Sequence, residues 1–231
     1  MKKTVFCDCR ITEQIKCNLT QLGYTVSPVE KNVIFEDSVS AHADMNVLKI
    51  GDRVFISSKT FVRTSDNVTE IEGEYKRYAP LKYPDDILLN CALVGNDIIC
   101  KADSASKSVL DYAKKIGYRI IDIKQGYAKC NIAVVSDKAV ITEDKSVADV
   151  LGKNGYDVLL LKTHSVKLDP YDYGFIGGAS GKLENNMLAF TGNIELHPEY
   201  AEIDSFCKNH NVKVISLSDE PLYDYGSLVL I

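Results

Sequence analysis

Asn46-Val-Leu-Lys-Ile-Gly51-Asp52 runs into Val54-Phe55-Ile56, and Asn90-Cys-Ala-Leu-Val-Gly95-Asn96 runs into Ile98-Ile99-Cys100. The same phrase returns as Asn131-Ile-Ala-Val-Val-Ser136-Asp137 before Ala139-Val140-Ile141, and as Ser180-Gly-Lys-Leu-Glu-Asn185-Asn186 before Leu188-Ala189-Phe190. In each copy a polar residue stands five positions ahead of a tight turn of Gly, Asn, Asp or Ser type. Turns of that composition join antiparallel strands. The chain ends on Ser227-Leu-Val-Leu-Ile231, which is the same polar residue and the same apolar strand, cut off where the turn belongs.

A second series surrounds the hairpins. Leu22-Gly23-Tyr24-Thr25-Val26, Ile116-Gly117-Tyr118-Arg119-Ile120 and Asn154-Gly155-Tyr156-Asp157-Val158 match one another, and His210-Asn211-Val212-Lys213-Val214 is a looser copy. Each sets Gly or Asn between an amphipathic stretch and a β-type run. Both residues accept the left-handed backbone that ends a helix. Thr12, Ser104 or Ser106, and Asp144 stand where a helix cap belongs, and Pro198 stands where a first turn begins. The expected unit is therefore strand, turn, strand, helix, strand.

The turn positions Gly51, Gly95, Ser136 and Asn185 are separated by 44, 41 and 49 residues. Repetition at such a period marks a repeat architecture. The missing half of the fifth unit lies at the amino terminus, in Thr4-Val5-Phe6-Cys7 and the helix after Thr12. The expected fold is α/β: a five-fold pseudosymmetric ββαβ propeller, circularly closed by pairing of the N- and C-terminal strands, which leaves no free sheet edge there. The whole chain, 1–231, reads as a single domain with units near 222–231 plus 1–35, 36–84, 85–125, 126–170 and 171–221. Segment 59–84, rich in Thr, Glu, Lys and Arg, reads as an irregular loop in place of a helix. The competing expectation is an open, mainly parallel sheet, and the hairpin ahead of each helix argues against it.

The 231 residues are 45% hydrophobic and carry a formal charge of −5 from 27 basic and 32 acidic side chains. Basic residues are scattered, with no stripe to follow a phosphate backbone, so no nucleic-acid partner is expected. The apolar run after Met1 is too short for a signal peptide, and no window reaches a membrane-spanning length. A cytoplasmic protein is expected, with no membrane partner; nothing in the sequence indicates an oligomeric state. The seven cysteines cannot all pair internally and read as free thiols. No second cysteine pair completes a zinc site, so no metal or organic cofactor is expected.

The repeat resembles the pentein superfamily, the guanidino-group-modifying enzyme fold of arginine deiminases and amidinotransferases. The matching phrases are Ala41-His42-Ala43-Asp44-Met45-Asn46, Gln125-Gly126-Tyr127-Ala128-Lys129-Cys130, Gly174-Phe-Ile-Gly-Gly-Ala-Ser-Gly181 and Phe190-Thr-Gly-Asn-Ile-Glu-Leu-His197. They point to an uncharacterised bacterial branch of that fold. The resemblance implies five units around an axis, with the residues before each first strand ringing a central site. It implies a cysteine that attacks a guanidino or amidino carbon, a histidine that moves protons, and carboxylates that hold the cation. The family also contains a member without catalytic chemistry, so a non-catalytic small-ligand or protein-binding module is the alternative.

On that reading Cys130 is the candidate nucleophile, with Lys129 beside it to favour the thiolate. Cys91 is its rival but falls inside a strand. His42 and Asp44, two apart on an extended segment, would face one side as acid/base and orienting carboxylate. Asn46, Asn90, Lys129, Asn131, Ser180, His197 and Asp224 are the candidate substrate-binding residues, with His197 also the second candidate for the histidine. Tyr171, Tyr173, Tyr223 and Tyr225 either line a pocket mouth or pack at its rim. The arginine and acidic motifs with which the family's deiminases clamp a substrate have no counterpart here. Cys130 and His42 are also separated by an intervening unit.

Overall fold

A computed structural model of the chain describes residues 3–58, 67–76, 78–184 and 186–231. The first unit contains β1 (Thr4–Asp8), α1 (Glu13–Gln21) and β2 (Thr25–Val29). A four-residue helix α2 (Ala43–Asn46) then leads into β3 (Val47–Ile50), β4 (Arg53–Ile56) and β5 (Val68–Glu70). The third unit runs through β6 (Ala92–Val94), β7 (Asp97–Cys100), α3 (Lys107–Lys115) and β8 (Arg119–Asp122). The fourth begins with the short helix α4 (Ala128–Asn131), followed by β9 (Ala133–Ser136), β10 (Ala139–Thr142), α5 (Lys145–Lys153) and β11 (Asp157–Leu160). The last comprises β12 (Ser180–Glu184), β13 (Met187–Phe190), α6 (Tyr200–Asn209) and β14 (Lys213–Ser216), before the terminal strand β15 (Val229–Leu230).

These strands form five three-stranded sheets, ordered β15-β1-β2, β3-β4-β5, β6-β7-β8, β9-β10-β11 and β12-β13-β14. In every sheet the central strand pairs antiparallel with one neighbour and parallel with the other. Four of the sheets therefore repeat the hairpin-then-crossover order that the sequence spacing implies. The fifth is assembled from the two ends of the chain. Val5 pairs with Leu230 and Phe6 with Val229. The amide of Thr4 donates to the carbonyl of Ile231 at 3.1 Å, and the reverse bond is 2.8 Å. Among the described residues each sheet is open, and none closes on itself.

Local chemistry sets the helix limits. The side chains of Thr12, Ser106 and Asp144 accept the amides of Ile15, Val109 and Val147 at 3.3, 3.2 and 3.2 Å. Gly117, just beyond α3, has φ +85°, a left-handed conformation that L side chains rarely adopt. Packing holds the helices in place. The two fully buried residues in each are four apart: Ile15 and Leu19, Val109 and Ala113, Val147 and Leu151, Ile203 and Cys207. Burying one such aliphatic side chain contributes about 1.5–3 kcal/mol, against about 1 kcal/mol for a cap. Helix α6 forms without any side-chain cap, as that ranking requires.

Segment 59–84 is described at 67–76 and 78–84, where it forms β5, a 3-10 turn over Glu72–Glu74 and further turns. Residues 59–66 and 77 lie outside the described residues. Among the described residues no helix is long and apolar enough to cross a membrane.

The first strand of every sheet contributes to one cavity of about 220 Å³. Its walls include Leu48 of β3, Leu93 of β6, Val134 of β9, Lys182 of β12 and Val229 of β15. Strand β15 lies beside β12 and β3, and β9 lies beside β12 and β6. Residues more than 180 positions apart thus meet at the wall of this cavity, and the loops leading into these strands meet at its end.

Candidate active site

Those loops carry the chemistry. Ala43 to Asn46 form a helical turn, not the extended segment expected for His42-x-Asp44. Through this turn His42 lines a second cavity of about 330 Å³, while Asp44, whose carboxylate stays within 4.8 Å of the imidazole, lines the first. The other short helix, α4, presents Cys130 to the second cavity and Lys129 to the first. Asp224 completes the floor of the second cavity. His42, Asp44, Cys130 and Asp224 are all buried, at 1, 2, 4 and 1% exposure.

The Cys130 thiol donates to Asp44 Oδ2 at 3.2 Å and accepts from Asn90 Nδ2 at 3.0 Å. The Asn90 carbonyl oxygen accepts the amides of Lys129 and Cys130 at 2.8 and 3.3 Å. One asparagine therefore fixes both the backbone and the sulfur of the α4 turn. Lys129 Nζ donates to Ser227 Oγ at 3.0 Å, and Ser227 Oγ donates onward to Asp44 Oδ2 at 2.6 Å or to the Gly177 carbonyl at 3.0 Å. Lys129, Ser227, Asp44 and Cys130 form a polar partition between the two cavities.

His42 is held by packing. Neither ring nitrogen has a hydrogen-bond partner, and Asp44 Oδ1 also has none. His42 Nδ1 lies 3.9 Å from Asp224 Oδ1, within ion-pair range but beyond a hydrogen bond. Asp224 is fixed by the amides of Phe175 and Gly226 at 3.0 and 2.9 Å. Gly226, at φ +67°, brings its backbone so close to His42 that a Cβ there would lie 2.1 Å from the His42 Cβ. A Cβ at Gly178 would lie 2.0 Å from Asp224 Oδ1. The glycines of both loops thus admit the charged groups.

Burial pushes the Cys130 thiol well above its ordinary pKa, and the Asp44 and Asp224 carboxylates push it further; the Asn90 hydrogen bond opposes them. Lys129 does not reverse this: its ammonium points to Ser227, and burial pulls its own pKa down. Asp224 is raised, chiefly by burial, with His42 opposing. The cysteine is thus a thiol hydrogen-bonded to a carboxylate, with an imidazole close by whose nitrogens have no hydrogen-bond partner.

The other candidates are placed as follows. Asn46 donates to the carbonyls of Ser40 and His42 and accepts from Ser57 and Asn32, all within its own loop region. Asn131 accepts from Thr142 Oγ1, and Ser180 Oγ donates to the Gly177 carbonyl. His197 Nδ1 accepts the Glu199 amide at 3.1 Å ahead of α6, and the residue does not line the pocket. Cys91 is buried and lines the first cavity. Tyr171 and Tyr173 do line the pocket mouth, whereas Tyr223 and Tyr225 pack against each other in a tilted pair, centroids 4.7 Å apart. Sequence reading did not single out Met45, Tyr127 and Phe175 as walls of the pocket. All three stood inside the quoted loop phrases, which was the available signal. The donor atoms of His42, Asp44 and Cys130 lie within 4.8 Å of one another. Nitrogen, oxygen and sulfur donors at that spacing also suit a divalent metal such as zinc.

Five three-stranded sheets set around a buried Cys-His-Asp cluster give a pentein-like fold. The chain belongs to the family described as a family of unknown function (DUF6873), whose model matches residues 6–229. Among solved structures it is similar to DDAH from Pseudomonas aeruginosa, a cysteine-to-serine mutant complexed with citrulline. The two share 11% sequence identity and superpose with a TM-score of 0.55 over 94% of this chain and 92% of that one. At that identity the likeness shows the fold alone. Among curated proteins none matches the sequence.

Proposed function

We propose that this chain is a cysteine-dependent enzyme acting on the C–N bond of a guanidino or amidino compound. Its five sheets would be the blades of a closed propeller, and the cavity walled by all five first strands supports that reading. The whole chain would then be one domain, and a cytoplasmic location fits its reduced thiols. One observation carries the functional reading: the Cys130 sulfur, the His42 imidazole and the Asp224 carboxylate open onto one pocket, and neither His42 nitrogen has a protein partner.

A planar cation in this pocket meets Asp224, with Asp44 behind Cys130. Its charge offsets the carboxylates that keep the thiol protonated. Opposite charges 4 Å apart at an effective dielectric of about 20 attract by about 4 kcal/mol, about a thousandfold in the thiolate population. The thiol proton passes to His42, the sulfur–carbon bond forms, and His42 returns the proton to the departing amine as the C–N bond breaks. Water then gives a proton to His42 and attacks the same carbon. The carbon–sulfur bond breaks and the thiol recovers its proton. With an amine in place of water, the same steps make an amidinotransferase. Asn90 is a positioning residue for the sulfur.

The alternative is a pentein that binds a small ligand or a protein without chemistry, and the raised thiol pKa favours it. Intact-mass analysis after acid quench of the protein exposed to benzamidine and to n-butylguanidine separates the two. The enzyme reading expects one thioimidate or isothiouronium adduct in the wild type and none in Cys130→Ala. No adduct from either compound, or an adduct that persists in Cys130→Ala, contradicts it.

A further inference from the structure

The walls of the pocket restrict the kind of cation it can accept. Its lining carboxylates are Asp172 and Asp224, and among the described residues no lysine or arginine lines it. Besides the sulfur groups of Cys130 and Met45, the rest of the lining is aliphatic or aromatic. Tyr171 and Tyr173 stand 48 and 42% exposed at the mouth. Tyr173 stacks on His164 at 4.2 Å and meets Phe175 edge-on at 6.2 Å.

Of the three tyrosine hydroxyls in the lining, two are already committed. Tyr171 donates to Glu36 Oε2 at 3.1 Å, and Tyr127 donates to Asp86 Oδ2 at 2.7 Å. Both phenols therefore turn only acceptor lone pairs and ring faces toward the pocket. Four backbone amides of the wall are committed too. The amides of Tyr171, Gly174, Phe175 and Ile176 donate to Leu168, Val166, Asp224 and Glu143. An amino-acid carboxylate entering here would be desolvated against aromatic rings and two more carboxylates, with no lysine or arginine among the described lining residues to replace its water. A cation with an apolar arm meets ring faces, which attract it.

We propose that the substrate is a guanidinium or amidinium compound whose body carries no carboxylate, with an alkyl or aryl arm lying between Tyr127, Tyr171, Tyr173 and Phe175. This rests on the reading of the pocket as a guanidino or amidino site. It sets the chain apart from its structural neighbour, whose bound citrulline is an amino acid. Asp172, exposed at the mouth, is the specificity-determining charge.

Isothermal titration of the full chain with benzamidine, n-butylguanidine and arginine tests the inference without relying on thiol reactivity. Either carboxylate-free ligand should bind at least about tenfold more tightly than arginine, and Asp172→Lys should narrow that ratio by about tenfold. Arginine binding as tightly as the other two, or no binding by any of the three, overturns the inference. Selective binding without any covalent adduct on Cys130 would leave the substrate class standing and overturn only the catalytic reading.

Discussion

The thiol of Cys130 donates to Asp44 across 86 positions of sequence, at 3.2 Å. The same carboxylate oxygen accepts from Ser227, which in turn accepts from Lys129. The carboxylate that orders the partition therefore also suppresses the thiolate, since its charge raises the thiol pKa. Asp44→Asn should uncouple the two effects. Alkylation of Cys130 by iodoacetamide at neutral pH should rise by about tenfold, the equivalent of one pKa unit, while cation binding weakens. A pH series of alkylation rates, with Cys130 followed by peptide mass spectrometry, measures this; an unchanged or slower rate would contradict the assigned role.

Asn90 acts in the opposite direction. Its side chain donates to the sulfur and accepts two amides of the α4 turn. Asn90→Ala should raise the thiol pKa further, because the hydrogen bond that lowers it is gone. It should also cost about 1–3 kcal/mol, because buried amides lose their acceptor. Urea unfolding gives the second quantity, and a variant as stable as the wild type would show that the loop is held by something else.

Much of the architecture was legible because it is local. Gly23, Gly117 and Gly155 end helices by backbone geometry, and the turn phrases name their own strands. Even the pairing of β1 with β15 followed from a half-unit at each end. The site was less legible. His42 and Asp44 are neighbours, with donor atoms within 4.8 Å, but across a helical turn at Ala43 in place of an extended segment, and they line two cavities. Asn46 and Asn131, last residues of the two short helices, hydrogen-bond within the loops and hairpins that carry them. Sequence spacing cannot distinguish an amide that holds a loop from one that meets a ligand. Lys129 looked like a thiolate-stabilising neighbour; adjacency in sequence said nothing of its ammonium turning to Ser227.

Glu143 is buried beneath the same loops. Its Oε2 accepts the Ile176 amide, and its Oε1 has no hydrogen-bond partner. Burial raises its pKa from 4.5 to about 7. Between those values the folded protein holds a proton that the unfolded chain has released. Stability therefore falls as pH rises through that window, by about 3 kcal/mol at most. Glu143→Gln should flatten this segment of a stability-versus-pH curve from denaturant melts, and a wild-type curve that rises there would contradict the shift.

Gly178 and Gly226 make separable predictions. Alanine at Gly226 adds a Cβ 2.1 Å from His42 at a backbone φ of +67°, so it should lower stability by roughly 1–3 kcal/mol from strain alone. Alanine at Gly178 meets the Asp224 carboxylate and should weaken binding of benzamidine through displacement of that group. Thermal melts and calorimetry on both variants distinguish the two effects. Equal behaviour to wild type at both positions would mean that the loops are less closely packed than described.

The central claim is that Cys130 reacts at a cation site, and competitive labelling tests it most directly. The seven free cysteines can be exposed in one sample to 2-chloroacetamidine and to its neutral analogue 2-chloroacetamide, then read peptide by peptide. The amidinium reagent should label Cys130 first and far ahead of the neutral one, and benzamidine should slow only that reaction. Equal labelling by both reagents, or faster labelling of exposed Cys17 by the amidinium, would contradict it.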